Sequence, residues 1–261
     1  MAARCLAICA VLGLIMGVAA PARAERPFVS TERAPTLDHG VSELEFGLNS
    51  ARFSSQTTRY TLLTELTYGL LDHLNFEVEV PYLFISGPGG TQGVVGDVVL
   101  KPKMLFLKGR EANPLSLAGE MQLKFPSCDE TGPASGEINP SCTGESDLGF
   151  TAIATKEFLP LTVHLNVGYT FVGNPPGGNL KNVLGYSLAF EYQTILPAVA
   201  VVTELAGETN RDPNTPKDLV TLLFGVTYQV NRRVKLDSSI VSGLTAPSPD
   251  YAALLGVAYT F

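Results

Sequence analysis

The chain has no tryptophan, three histidines and four cysteines among its 261 residues, and only 16% of those residues are charged. Each scarcity removes a class of function. His39, His73 and His164 stand far apart, and with so few cysteines they make no zinc-ligand spacing. No phosphate loop or dinucleotide fingerprint is present, because the glycines between 87 and 90 and at 177 to 178 are turn chemistry. No cofactor or metal is therefore expected. Lysine and arginine are outnumbered by acidic residues, 18 to 25, which argues against nucleic acid as a partner. Long hydrophobic runs are missing after residue 20, although 45% of residues are hydrophobic. They alternate with polar ones instead, which is how a barrel hides its membrane signal.

One continuous apolar stretch does occur, at the N-terminus. Arg4 precedes the run Leu6 to Ala20, and Ala22-Arg23-Ala24 is a small-x-small cleavage site. A run of roughly 15 residues falls short of the ~20 that span a bilayer as a helix. Residues 1–24 are expected to be a signal peptide, with no lipobox at the cut. Cleavage would remove Arg4 and Arg23, leaving 16 basic against 25 acidic residues and a net charge of −9.

The pattern present everywhere else has a period of two. The closing stretch Tyr251 to Phe261 puts Tyr251, Ala253, Leu255, Val257, Tyr259 and Phe261 on one face of a strand and Ala252, Leu254, Gly256, Ala258 and Thr260 on the other. Eleven earlier segments do the same, around 43–49, 59–70, 73–84, 96–107, 115–125, 146–158, 161–172, 183–194, 198–207, 218–229 and 233–243. Segment 161–172 alternates most cleanly, with Leu161, Val163, Leu165, Val167, Tyr169 and Phe171 opposite Thr162, His164, Asn166, Gly168 and Thr170. Pro102 inside a strand predicts a bulge, since proline cannot donate to a ladder. Short links alternate with longer ones at 50–58, 85–95, 126–145, 173–182, 208–217 and 244–249. Such spacing predicts an all-β fold, an antiparallel up-and-down transmembrane barrel of about twelve strands over 41–261. Residues 25–40 then form an N-terminal periplasmic segment, on the side of the short turns. A soluble sandwich is the alternative, but ~10-residue strands with a polar second face suit a bilayer better. Tyrosine and phenylalanine, 9 and 13 residues, must serve the interfacial belts that tryptophan usually occupies.

Facing every second residue inward collects charge on adjacent strands. Glu65, Glu77, Glu79, Asp97, Lys101, Lys103, Glu120 and Lys124 fall on the second to fifth, and His164, Glu191 and Glu204 on later ones. Opposite charges in a confined interior pair, because an unpaired buried charge is costly. The same lattice would line a pore and select what passes. The facing wall is read as small groups, such as Thr151, Thr155, Thr162, Gly168, Ser187, Ala189 and Gly225. Twelve strands imply a narrow lumen. Catalysis is not expected: His164 is the one histidine on a strand, and its inward neighbour is Asn166, not a nucleophile. Cys128 and Cys142 remain after cleavage and are expected to form a disulfide on an export route that oxidises thiols, stabilising by ~3 kcal/mol. Asp129, Glu130, Glu137 and Glu145 in that loop lack the regular spacing of a calcium loop and read first as solvated acidic surface, with a surface calcium site as the alternative.

Several stretches carry a family resemblance: GVSELEFG at 40–47, LTYGLLDHLNFEVEVPY at 66–82, GDVVLKPKMLFL at 96–107, GESDLGFTAIATKEF at 144–158 and HLNVGYTF at 164–171. Together with the opening Glu25 to Ser30, they resemble the outer-membrane transporter family named for the meta-cleavage pathway of phenol degradation. The resemblance implies a monomeric or small oligomeric barrel in the bacterial outer membrane, passing aromatic or other hydrophobic small molecules. Likeness to outer-membrane barrels also implies that Tyr259 and Phe261 are read by the barrel-assembly machinery. The expected function is a passive channel for a small-molecule solute, surrounded by outer-membrane lipid. A non-conducting structural or surface-interaction barrel is the alternative.

Overall fold

An alternating side-chain pattern can separate its two faces only on an extended backbone, and strands form wherever the sequence alternates. The computed structural model describes residues 27–53, 57–87, 90–128, 142–175, 178–215 and 217–261. The proposed signal peptide and the whole stretch 129–141, with Asp129, Glu130 and Glu137, lie outside the described residues. The strands are β1 (Ser42–Arg52), β2 (Thr58–Leu71), β3 (Leu74–Gly87), β4 (Gly90–Val95), β5 (Val98–Leu107), β6 (Leu115–Phe125) and β7 (Asp147–Phe158). They continue as β8 (Leu161–Phe171), β9 (Val183–Gln193), β10 (Val199–Glu208), β11 (Leu219–Gln229), β12 (Val234–Gly243) and β13 (Tyr251–Thr260). All pairings are antiparallel, and β1 pairs with both β2 and β13, so the sheet closes on itself. Ser42 and Phe261 seal it with two backbone hydrogen bonds, of 3.0 and 2.9 Å. Closure satisfies ladder groups that lipid could not.

β3 is long enough to serve two partners. Its first part, Leu74 to Glu79, pairs with β5, and its last, Tyr82 to Gly87, pairs with β4. β4 and β5 therefore share one place in a ring of twelve. The loop expected at 85–95 is a hairpin instead, because Leu83 and Ile85 face inward and Thr91 to Val95 keep strand-forming residues. Gly90, at φ 107°, makes the return possible. Pro102 also differs from expectation, since the β5–β6 ladder is interrupted at Lys101 and Pro102 without a change of register. The irregularity falls between Leu105 and Leu107, where no proline stands.

Outward positions are apolar around the ring. Phe46, Leu48, Leu66, Phe76, Met104, Phe150, Leu165, Val167, Phe224, Leu236 and Leu255 are all exposed, while the residues beside them in sequence are buried or half-buried. Tyr259 and Phe261 stack with ring centroids 5.9 Å apart at the closing seam.

Inside the ring lies the N-terminal segment, where the sequence suggests only a periplasmic extension. Phe28, Thr31, Arg33, Ala34, Thr36 and Leu37 are buried. The segment enters through a tight crossing of β2: Gly40, at φ 80°, donates its N–H to Gly69 O at 2.8 Å. A Cβ on Gly69 would stand 2.3 Å from the Asp38 carbonyl oxygen, so only glycine admits the strap there.

Leu165→Arg, on the lipid face near the middle of β8, is expected to destabilise the barrel by ~2–4 kcal/mol, measured by denaturant unfolding in liposomes. Thr162→Arg, on the inward face, should cost much less if that face meets no lipid.

Candidate functional site: a strapped lumen with two unlike walls

Residues 27–39 form a strap held by side chains from strands on opposite sides of the ring. Glu204 on β10 accepts the Val29 and Ser30 N–H groups at 2.9 and 3.0 Å and the Thr31 hydroxyl at 2.6 Å. Asn166 on β8 accepts the Glu32 N–H at 2.6 Å and donates to the Glu32 carbonyl at 3.0 Å. Arg33 pairs with Glu191 on β9 at 2.8 Å. On the far side, Asn75 of β3 accepts the Leu37 N–H at 3.1 Å, and Asp72 accepts that of His39 at 2.9 Å. Ser239 of β12 donates to the Pro27 carbonyl at 3.3 Å. Short side chains on six elements thus replace the water that an extended, non-sheet backbone would otherwise need.

His164 belongs to this anchoring set. Its Nδ1 meets the Thr155 hydroxyl at 2.9 Å, and that oxygen accepts the Ala34 N–H at 3.0 Å. The structural partner of His164 is therefore Thr155, across the β7–β8 ladder, and not the sequence neighbour Asn166. Phe28 lies against the ring at 5.6 Å between centroids. A hydroxyl, an imidazole and the Glu191 carboxylate stand in a row, but Nε2 is 3.9 Å from Glu191 Oε2, beyond hydrogen-bond length. Thr155 and His164 are each 2% exposed beneath the strap, which leaves a substrate no approach.

The inward charges of β2–β7 divide into two groups where the sequence suggests one lattice. At mid-wall, Lys101 reaches Glu77 at 2.7 Å and Glu79 at 2.8 Å, and Glu32 of the strap lies 3.7 Å from Lys101 and 3.6 Å from Lys103. Glu65 and Glu120 face the same region from β2 and β6 and are buried. Nearer the long loops, Lys124 bridges Asp97 at 3.3 Å and Asp147 at 3.0 Å. Asp97, with no exposed surface, also accepts N–H groups from Ser127, Cys128 and Thr143 at 3.1 to 3.2 Å. It clamps both stems of the loop that the Cys128–Cys142 disulfide closes, where the Cα atoms are 5.4 Å apart. At the rim, Asp212 accepts the Asn214 N–H and the Thr215 hydroxyl, which hold its carboxyl below the usual aspartate range.

The opposite wall carries an apolar patch among polar groups such as Ser187, Glu208 and Ser239, and the sequence reading missed that patch. Val202, Leu223, Val241, Ala252 and Leu254 point inward and pack with Phe28 of the strap. A signal was present: β10, β11 and β13 read VAVVTELAGE, LVTLLFGVTYQ and YAALLGVAYT, with apolar residues on both faces. Above the strap the walls enclose a cavity of about 900 Å³. Glu65, Glu79, Lys101 and Glu120 line one side, and Val183, Leu219, Val241 and Ala252 line the other together with Ser187, Glu208 and Thr221, with Phe28 to Glu32 as its floor. It extends to Asn210, Arg211 and Pro247 in the loops. Arg59 leans over Phe53 at 5.1 Å within it.

Glu204→Ala removes three hydrogen bonds to the strap, two of them from backbone N–H groups. Hydrogen exchange at Val29 and Ser30 is expected to accelerate roughly tenfold or more, the equivalent of ~1.4 kcal/mol, in the folded barrel. Unchanged exchange would show that Glu204 does not hold the strap.

No curated protein matches the chain. Among solved structures, the COG4313 outer membrane channel from Pseudomonas putida F1 aligns over 90% of this chain and 100% of its own, with a TM-score of 0.71 at 14% identity. The NanC porin aligns over 84% of this chain and 98% of its own, with a TM-score of 0.57 at 11% identity. At such identities the likeness establishes the fold, a transmembrane barrel of the outer-membrane kind. The model of one family, described as "Putative MetA-pathway of phenol degradation", matches residues 30–261, from near the start of the strap to the last residue, and the chain belongs to that family.

Proposed function

We propose that this protein is an outer-membrane channel that admits small amphipathic or hydrophobic molecules, aromatic ones among them, by diffusion. The observation that carries the reading is the cavity above the strap, which offers apolar patches and charged groups to the same occupant. A wholly hydrophilic solute gains nothing from Val241 and Ala252, and a pure hydrocarbon gains nothing from Glu79 and Lys101. A molecule with an oily body and a polar handle satisfies both. The family's name and the likeness to a channel and a porin point the same way. Nothing in the reading calls for an energy source, so direction follows the concentration gradient.

The strap supplies the specific observation in favour of a second reading, a non-conducting barrel. It crosses the lumen at mid-height, bonded to both sides, and would have to yield or be bypassed for passage.

Two measurements separate the readings. Liposomes containing the refolded protein are expected to take up phenols and medium-chain fatty acids faster than sugars of similar size. Val241→Asp should reduce phenol uptake by roughly tenfold, the cost of ~1.4 kcal/mol in partition to the apolar patch. In planar bilayers the wild type should give small conductance steps, and Lys101→Glu should raise their preference for cations. Folded protein that is silent in both assays would favour the non-conducting barrel.

A further inference from the structure

Three carboxylates stand side by side on successive strands. Glu45 of β1 is directly opposite Glu65 of β2, and Glu65 is directly opposite Glu79 of β3. One step along the barrel, Glu77 faces Lys101. Like charges in direct cross-strand register repel, and a low-dielectric wall strengthens the repulsion. The fold brings one ammonium, Lys101, to Glu77 and Glu79, but it does not reach Glu65. Glu65 is only 6% exposed, and its Oε1 is buried with no hydrogen-bond partner. Oε2 of Glu120, 7% exposed and on the other side of Lys101, is in the same position. Both side chains line the cavity, and the two oxygens without hydrogen-bond partners lie buried in its wall, next to a space that water and ions can enter.

Oxygens of Glu65, Glu77 and Glu79 lie within 4.8 Å of one another. Calcium binds oxygen ligands at ~2.3–2.6 Å, so ligands of one ion are separated by up to about twice that distance. The spacing fits a common ion. Carboxylates without histidine or cysteine select a hard cation over zinc or copper, and three side chains on a curved wall suit the flexible shell of calcium better than the strict octahedron of magnesium. We propose that Glu65, Glu77 and Glu79 form a calcium site on the lumen wall, bordering the cavity through Glu65 and Glu79, with water completing the shell and Lys101 as the built-in competing cation. The site stands whether or not the barrel conducts.

Calorimetric titration of the refolded mature chain in detergent with calcium chloride tests it without any transport step. One saturable site per chain is expected, with affinity falling tenfold or more in Glu65→Gln, an isosteric change that removes a charge and keeps the volume. Lys101→Met should tighten binding several-fold by removing the competitor, the reverse of what a purely structural lattice predicts. A chain carrying Asp129→Asn, Glu130→Gln and Glu137→Gln in the disulfide loop should bind as the wild type does. Absence of saturable binding, equal affinity in Glu65→Gln, or loss of binding in the loop variant would each overturn the proposal.

Discussion

Every backbone polar group at membrane depth must find its partner within the protein, and this one requirement organises the molecule. It forces the strands into a ring, brings Ser42 to Phe261, and makes the last residue of the chain part of the closure. It also turns the inward face into a confined volume. Whatever enters that volume must be satisfied by side chains reaching in from the wall, or by the limited water of the cavity.

The strap shows how fully the wall does this. A segment with no ladder of its own crosses the lumen because Glu204, Asn166, Thr155 and Asn75 each hold one or two of its N–H groups. Charge follows the same logic. Arg33 neutralises Glu191, and Glu32 approaches Lys101 and Lys103, so the strap completes ion pairs on both sides of the ring. The strap is thus part of the barrel's electrostatics as well as its floor. Its apolar end, Phe28, packs in one cluster with Val202, Leu223 and Val241, which sets an apolar patch across the lumen from the ion pairs of Lys101.

Higher in the barrel, Asp97 does for the disulfide loop what Glu204 does for the strap. Its carboxylate receives N–H groups from both stems and a lysine from β6, so the two cysteines are brought together by a buried acid as well as by their covalent bond. In both places a single inward carboxylate organises chain that would otherwise have no sheet to join. Carboxylates suit the task because each offers about four lone-pair positions to donors from different directions.

The sequence alone determined the parity of every strand but β4, which it took for loop, since a period of two admits only one assignment of faces when one of them meets lipid. It also settled the ring of twelve places and the inward direction of Glu65, Lys101, Glu120, His164 and Glu204. Periodicity says nothing about residues that do not alternate, so the course of 27–40 through the lumen was illegible; the side chains that hold it lie 33 to 212 positions away along the chain. Nor could it say which inward charges meet. The division into a mid-wall group and a rim group depends on register between strands, and so does the pairing of His164 with Thr155 in place of Asn166. The apolar patch was half-visible in strands that are oily on both faces, but a lipid-facing pattern explains such residues equally well until closure fixes which side they occupy. Local chemistry decided what each strand is; only the closed ring, by setting strands of distant sequence against one another, decided what the interior holds.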